Sequence, residues 1–379
     1  MSMKNSSKHL DNAKKFLWDL SGAFGDIGVL FPLAVALIAK NGFNPTALFL
    51  MAGIFYVASS WYFKITMPVQ PLKAMSAIAI ASGLGYEIIN AAGIAMGIIL
   101  ILIAVTGLSV RLGGIFPVSV IRGIQLGLGA MLVKSSFTLM RVDLTVAVIA
   151  GVMLVVNLVL IRKIPPLIPL LLLGIAISLR GNEPQVMGPV SLHLAMPDAD
   201  RFWQGLVLLV LPQIALTFGN AIVATEATGK LLYGGKAERL TLRSIPVSMG
   251  IANLVSGITG GAPMCHGCGG LTAHNKFGAT SQRSGYIVGF VLILSALFFG
   301  QSAVALISAF PSGVLGILLC YVGIEHALFA KDLLDDVNAM LIAFSVGILG
   351  FALGNLTIGF LAGLTIHYGV SGIKKLVRA

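Results

Sequence analysis

The chain is written in long apolar runs. Stretches of about 20 hydrophobic residues, enough for a helix to cross a bilayer, recur from Phe16 to Ser371 with short polar or Gly/Pro-rich breaks between them. The pattern predicts fourteen membrane segments. Seven lie before a polar stretch at 181–202 and seven after it, and in both sets the third segment is atypical.

The third segment opens I-T-M-P-V-Q-P-L-K-A-M-S (65–76), and the tenth reads T-G-G-A-P-M-C-H-G-C-G-G-L-T-A-H-N-K (259–276). Prolines, paired glycines, thiols and a histidine do not suit an unbroken lipid-facing helix. Non-helical backbone at membrane depth is tolerated only where protein or a water-filled cavity satisfies its polar groups. Each stretch is therefore expected to be a short extended strand that turns into a half-helix, in the tenth segment near Met264.

The two stretches correspond. Pro68 precedes Pro263 by 195 residues, which sets Gln70 against Cys265 and Lys73 against Cys268. F-G-D-I-G-V from Phe24 recurs as F-G-N-A-I-V from Phe218, and Phe116-Pro117 recurs as Phe310-Pro311, both 194 residues apart. Three markers in one order predict a duplicated chain, with a first repeat at 1–180, an external linker at 181–202 and a second repeat at 203–379. An odd number of segments per half inverts the second repeat in the membrane, so the half-helices enter from opposite sides. Interrupted segments at matching positions of two halves are the sequence pointer to a transporter's midplane site.

Composition agrees: 57% of residues are hydrophobic, only 10% are charged, and the mean hydropathy is +0.96. Soluble domains carry about a quarter charged residues, so the fold class is an all-α integral membrane protein. The net charge of +11 is a matter of topology, not of nucleic acid, because Lys and Arg gather in cytoplasmic loops. With fourteen crossings and a cytoplasmic N-terminus, most basic residues, including Lys374, Lys375 and Arg378, fall inside. The expected location is the cell's inner membrane, multi-pass, with both termini cytoplasmic. Three cysteines are too few for a disulfide framework.

Two facing helix N-termini, each with unpaired N–H groups and partial positive charge, make an anion site. The residues placed there are Gln70, Lys73, Asn220, Cys265, His266, Gly267, Cys268 and Gly269. Lys73 needs a counterion, either the substrate or a carboxylate, with Asp26 and Glu226 the candidates. Polar groups at this depth are expensive and functional by default. C-H-G-C sets two thiols on one helix face, as in metal or redox pairs, but no second ligand pair accompanies it, so neither a metal nor another cofactor is expected. Lining of a close-packed half-helix is the reading for the thiols.

At G-A-F-G-D-I-G, P-V-Q-P-L-K and P-M-C-H-G-C-G-G-L followed by K-F-G-A, the sequence resembles the molybdate transporter family, distant kin of the sulfate permeases. The resemblance implies a seven-plus-seven inverted repeat with a core domain (segments 1–4 and 8–11) and a gate domain (5–7 and 12–14). It also implies uptake of a tetrahedral oxyanion, molybdate or sulfate. Sulfate permeases usually carry a cytoplasmic STAS domain after the last segment; this sequence ends there, which favours the molybdate branch.

Importing a dianion against a negative-inside potential costs about 4.6 kcal/mol at 100 mV. Useful accumulation therefore needs coupling, and proton symport through Asp26 and Glu226, with His266 assisting, is the expected form. The partners expected are the oxyanion, protons and the bilayer; a homodimer is a possible assembly. The alternatives are a nucleobase or carboxylate permease of the same fold, a passive anion channel, and, in another class, a membrane thiol oxidoreductase using Cys265 and Cys268.

Overall fold

The computed structural model describes residues 15–16, 18–20, 22–112, 116–161, 167–181, 187–192, 194, 196–279 and 281–378. The basic N-terminal stretch (1–14) and part of the expected linker (182–186, 193 and 195) lie outside the described residues.

Helices follow the apolar runs. In chain order they are α1 (Ile27–Asn41), α2 (Pro45–Phe63), α3 (Lys73–Ser82), α4 (Tyr86–Val105), α5 (Val118–Val142), α6 (Leu144–Val156) and α7 (Leu167–Gly181). After residues 187–198 come α8 (Ala199–Ala237), α9 (Ser244–Thr259), α10 (Cys268–Lys276), α11 (Arg283–Ser308), α12 (Ser312–Leu328), α13 (Val337–Ala352) and α14 (Leu356–Arg378). Six stretches, in α2, α4, α5, α8, α11 and α12, are long and apolar enough to cross a membrane by length and composition. Large apolar side chains such as Val148, Val152, Phe298 and Phe344 stand exposed on outer faces, where a bilayer would solvate them.

Helix ends obey local chemistry. Asn44 caps α2 by accepting from the Ala47 N–H, with Pro45 at the first helical position. Asp143 caps α6 through Val146 N–H, and Asp336, 193 residues later, caps α13 through Ala339 N–H. Two expected helices are interrupted. The first expected segment, 16–39, breaks at a turn over residues 24–26, and α1 starts after Asp26. In α8, the matching stretch Thr217–Val223 is wound as a π-helix, a local distortion frequent at functional sites.

The most extensive helix contacts join α2 to α11, α4 to α9, and α5 to both α12 and α13, with α13 also against α14. Each partner in the first three pairs comes from the other side of residues 181–202. Glycines permit these crossings. A Cβ on Gly53 would lie 2.6 Å from the Gly289 carbonyl oxygen and one on Gly289 2.8 Å from that of Gly53. Gly97 and Gly250 oppose each other in the same way at 2.8 and 3.1 Å, and Gly129 and Gly323 at 2.5 and 2.8 Å. Backbones brought this close pack as small-residue interfaces do in membranes.

Two strands of two residues each, β1 (Gln70–Pro71) and β2 (Met264–Cys265), lie at the centre of the molecule and are fully buried. They pair antiparallel, Gln70 with Cys265 and Pro71 with Met264. The expected strand-to-half-helix turn is thus present in both stretches. One boundary shifts: β2 covers Met264–Cys265 and the half-helix α10 begins only at Cys268, so Cys265 and His266 belong to the extended part. Met264 N–H and C=O are bound by the Asn253 side chain at 2.9 and 2.8 Å, which holds the backbone open where a helix was expected to start.

Gly129→Leu would force a branched side chain into the Gly323 backbone. We expect a loss of stability of at least about 1–3 kcal/mol, visible as a lowered Tm of the detergent-purified protein. Gly369→Ala, where a Cβ meets nothing within 4 Å, should leave the Tm unchanged or slightly raised.

Candidate functional site

The site grows from the β1–β2 crossing. Prolines 68, 71 and 263 have no N–H to give a helix and hold the preceding residues extended. Leu72 N–H donates to the Pro263 carbonyl at 2.8 Å, adding a further bond beyond the two-residue ladder. His266 staples the stretches together: its Nδ1 donates to the Pro68 carbonyl at 2.8 Å, so Nε2 meets the Ser248 hydroxyl at 2.9 Å. Both ring nitrogens are committed to the scaffold. Thr225 of α8 donates to the His266 carbonyl at 3.1 Å.

Immediately after the crossing the chain turns into α3 on one side and α10 on the other. Their first turns differ. The Gln213 carbonyl of α8 accepts from the backbone N–H groups of Ala74 and Met75 at 2.9 and 3.1 Å, while its amide donates to Thr217 at 3.0 Å. The N-terminus of α3 is therefore already capped from within the protein. That of α10 begins at Gly267, which has no side chain to offer, and among the described residues the Cys268 thiol is the side chain beside its first N–H groups. The two helix starts are thus unequal: one is capped by a glutamine of α8, the other is led by a glycine. Gln213 lies seven residues before Asn220, two turns earlier on the same helix face, and this spacing was the available signal for it.

Three polar groups converge beside Gly267. From the position a Cβ would take there, Gln70 Oε1 is 3.3 Å away, Lys73 Nζ 3.6 Å and Asn220 Nδ2 4.0 Å. Only glycine leaves this space free. Lys73 is half-buried and takes part in none of the ion pairs among the described residues, which are Arg122–Asp332, Arg201–Asp198 and Lys230–Glu226. Cys268 donates its thiol to Asn220 Oδ1 at 2.9 Å, and the buried Cys265 thiol lies 3.9 Å from the Pro71 carbonyl. Gly269 is exposed and has open space around it.

Asp26 lies behind this group, 2% exposed. Gln70 Nε2 donates to its Oδ1, and Lys73 and Tyr56 are its other charged or polar neighbours. Gly270 makes room for the pair, since a Cβ there would meet Asp26 Oδ2 at 2.6 Å and Gln70 Nε2 at 2.7 Å. Glu226 is placed differently: it pairs with Lys230 one turn along α8 at 2.6 Å and is not among the cavity-lining residues.

The cavity facing Lys73 is lined by Lys73, Gln213, Asn220 and Cys265 on one side and by Gln125, His326 and Phe329 on the other. Its volume of about 10 Å³ has room for roughly one water. Gln125 Oε1 accepts from Arg122 Nη1 at 3.0 Å, Arg122 also pairs with Asp332, and its guanidinium lies 5.4 Å from the Phe329 ring centroid. Gln125 comes from α5, His326 from the last turn of α12, and Phe329 is the residue just after it; the sequence reading did not count them as site residues.

A half-buried ammonium, a glycine-led helix start and amide groups thus gather around a crossing of broken segments in an apolar, many-helix membrane domain. Solved structures agree on the fold. The transmembrane domain of the cyanobacterial bicarbonate transporter BicA superposes with a TM-score of 0.68 at 20% identity, covering 91% of this chain and 97% of that one. SLC26A9 gives 0.71 at 16% identity, covering 95% and 66%. The family described as "Molybdate transporter of MFS superfamily" matches residues 19–132 and 205–325, and the chain belongs to it. Its relatives include Molybdate transporter 1 of Arabidopsis thaliana, 28% identical over 96% of this chain and 90% of the relative. Molybdate transporter 2 of the same plant is 26% identical over 92% and 86%.

Replacing Gln213 by Met keeps the length but leaves the Ala74 and Met75 N–H groups without an acceptor. A loss of about 1–3 kcal/mol per unpaired buried group should appear as a lower Tm in thermal unfolding of the purified protein, more severe than for Thr217→Val, which removes only Gln213's own acceptor.

Proposed function

We propose that this protein is a secondary active importer of a tetrahedral oxyanion, with molybdate its substrate, driven by proton symport. The observation that carries the reading is the convergence of Lys73 Nζ and Asn220 Nδ2 on the space beside Gly267, at the glycine-led start of α10. A helix N-terminus supplies oriented N–H donors and partial positive charge, Lys73 a full charge, and the amide of Asn220 a directional donor. The names of the Arabidopsis relatives favour molybdate; sulfate and tungstate share its shape and charge and are the competitors to test.

The architecture proposed is two seven-segment halves, 1–180 and 203–379, inverted in the membrane and joined by the external linker 181–202. Corresponding elements support it: β1 with β2, α3 with α10, α5 with α12, α6 with α13, and the reciprocal glycine contacts. On this reading both termini are cytoplasmic in the inner membrane, α1–α4 with α8–α11 form the core, and α5–α7 with α12–α14 form the gate. A cavity the size of one water cannot hold the anion, so the Gln125, His326 and Phe329 side must separate from Lys73 and α10 during loading.

Asp26 is the acid nearest the anion position and the first candidate to carry the proton. In the unloaded site its carboxylate and the Lys73 ammonium balance each other; a proton on Asp26 leaves Lys73 to the entering anion. Glu226 is the second candidate, exchanging its bond to Lys230 for a proton.

In proteoliposomes, an inward proton gradient should drive molybdate accumulation that a protonophore abolishes; uptake indifferent to the gradient would sink symport. Lys73→Ala should weaken molybdate binding by about 10- to 100-fold in calorimetry, as expected for loss of a charge-assisted contact of roughly 1.5–3 kcal/mol. Gly267→Val should do the same by filling the site, while Gly269→Ala should bind nearly as the wild type. Unchanged affinity in Lys73→Ala and Gly267→Val together would move the site elsewhere. Glu226→Gln with intact proton-driven uptake would leave Asp26 as the coupling acid.

A further inference from the structure

The two halves furnish the pocket with different chemistry at matching positions. Asp26 and Asn220 occupy the same place in F-G-D and F-G-N. In the second half the amide orientation is fixed: Asn220 Oδ1 accepts the Cys268 thiol, so Nδ2 is the group turned to the space beside Gly267. In the first half an ionised Asp26 can only accept hydrogen bonds. Gln70 must then present Nε2 to it, as it does, and Oε1 is left on the other side, facing Gly267. Gln70 is fully buried, yet this oxygen has no donor. An anion arriving beside Lys73 would meet a carbonyl lone pair there.

We propose that Gln70 is a proton-controlled amide switch that couples anion binding to protonation of Asp26, a mechanism that rests on the anion-symport reading above. When Asp26 takes up a proton, its carboxyl gains an O–H that donates to Gln70 Oε1. The amide then turns about its terminal torsion, and Nε2 swings to the space beside Gly267 with its N–H groups toward the anion. That torsion is broad and roughly two-fold, so either orientation is sterically accessible. Proton and anion favour the same orientation, and each therefore raises the affinity for the other by an equal factor.

The groups that face Asp26 and Gln70 are Lys73 of α3, Tyr56 of α2, and Cys265 of β2, with Cys268 of α10 beside Cys265. His274 of α10 stands behind Tyr56, its Nε2 3.5 Å from the Tyr56 hydroxyl and its Nδ1 donating to the Gly22 carbonyl at 2.7 Å. Gln70 is the amide that touches both Asp26 and the space beside Gly267, and it can exchange a donor for an acceptor face without changing charge. It can therefore report the Asp26 proton to the anion by geometry rather than by field.

Calorimetric titration of the purified protein with molybdate, in buffers of different ionisation enthalpy and at several pH values, tests the switch. Wild type should take up about one proton per anion and gain affinity about tenfold per pH unit as pH falls. Gln70→Leu should bind more weakly and lose this slope, to less than about twofold per unit, although Asp26 is still present. Gln70→Met, closer in length, serves should the leucine variant not fold. Asp26→Asn should bind tightly at every pH, because its amide can donate to Gln70 Oε1 permanently. A Gln70 variant that keeps the wild-type slope would overturn the switch and assign the linkage to the charge of Asp26 acting on Lys73, with the symport reading intact. Absence of proton uptake in the wild type, or unaltered affinity in Lys73→Ala, would remove the symport or the site and the switch with it.

Discussion

The structure depends on backbone hydrogen bonds made where neither water nor a continuous helix can supply them. Buried in the centre of an apolar chain, residues 65–72 and 259–267 have polar groups that would each cost several kcal/mol if unpaired in lipid. They find partners in one another through the β1–β2 pair, in the Asn253 side chain, and in the Leu72–Pro263 bond. Once these bonds are made, the start of each half-helix is fixed in position, and every side chain that could touch a substrate is placed relative to that crossing. The extended backbone is thus both the most costly part of the fold and the part that builds the pocket.

How much of this the sequence disclosed follows from what kind of residue carries the information. Pro68, Pro71, Pro263 and the glycine pairs act locally, by denying helix geometry to their own backbone, so the two breaks could be read from the chain alone. The offset between Pro68 and Pro263 made Gln70 and Cys265 repeat counterparts, but the antiparallel register that also sets Pro71 against Met264 did not follow from it. Lys73 and Asp26 were legible because charge is rare in such a sequence. Gln213 was not, since its role as the cap of α3 arises from a contact between residues about 140 apart, and a glutamine in an apolar helix has many other uses. His266 looked like a pocket residue by position; its ring bonds to Pro68 and Ser248 depend on how α9 packs, which periodicity does not reveal. The turn at Asp26 and the π-helical winding near Asn220 were equally hidden, because neither stretch contains proline.

Around the crossing, rigidity is graded. The glycine-paired helices α2 with α11 and α4 with α9 bring backbone against backbone, which leaves little freedom to slide. The cavity is bounded on its far side by Gln125, His326 and Phe329.

The inequality of the two half-helix starts has a further consequence. A duplicated carrier whose halves were identical would have inward- and outward-open forms of equal energy, since exchanging the halves would convert one into the other. Here the ammonium, the acid and the borrowed glutamine cap belong to one half only, while the thiols and the neutral amide belong to the other. On the inverted-repeat reading proposed above, this divergence would give the empty protein a preference for one side of the membrane before any gradient acts on it.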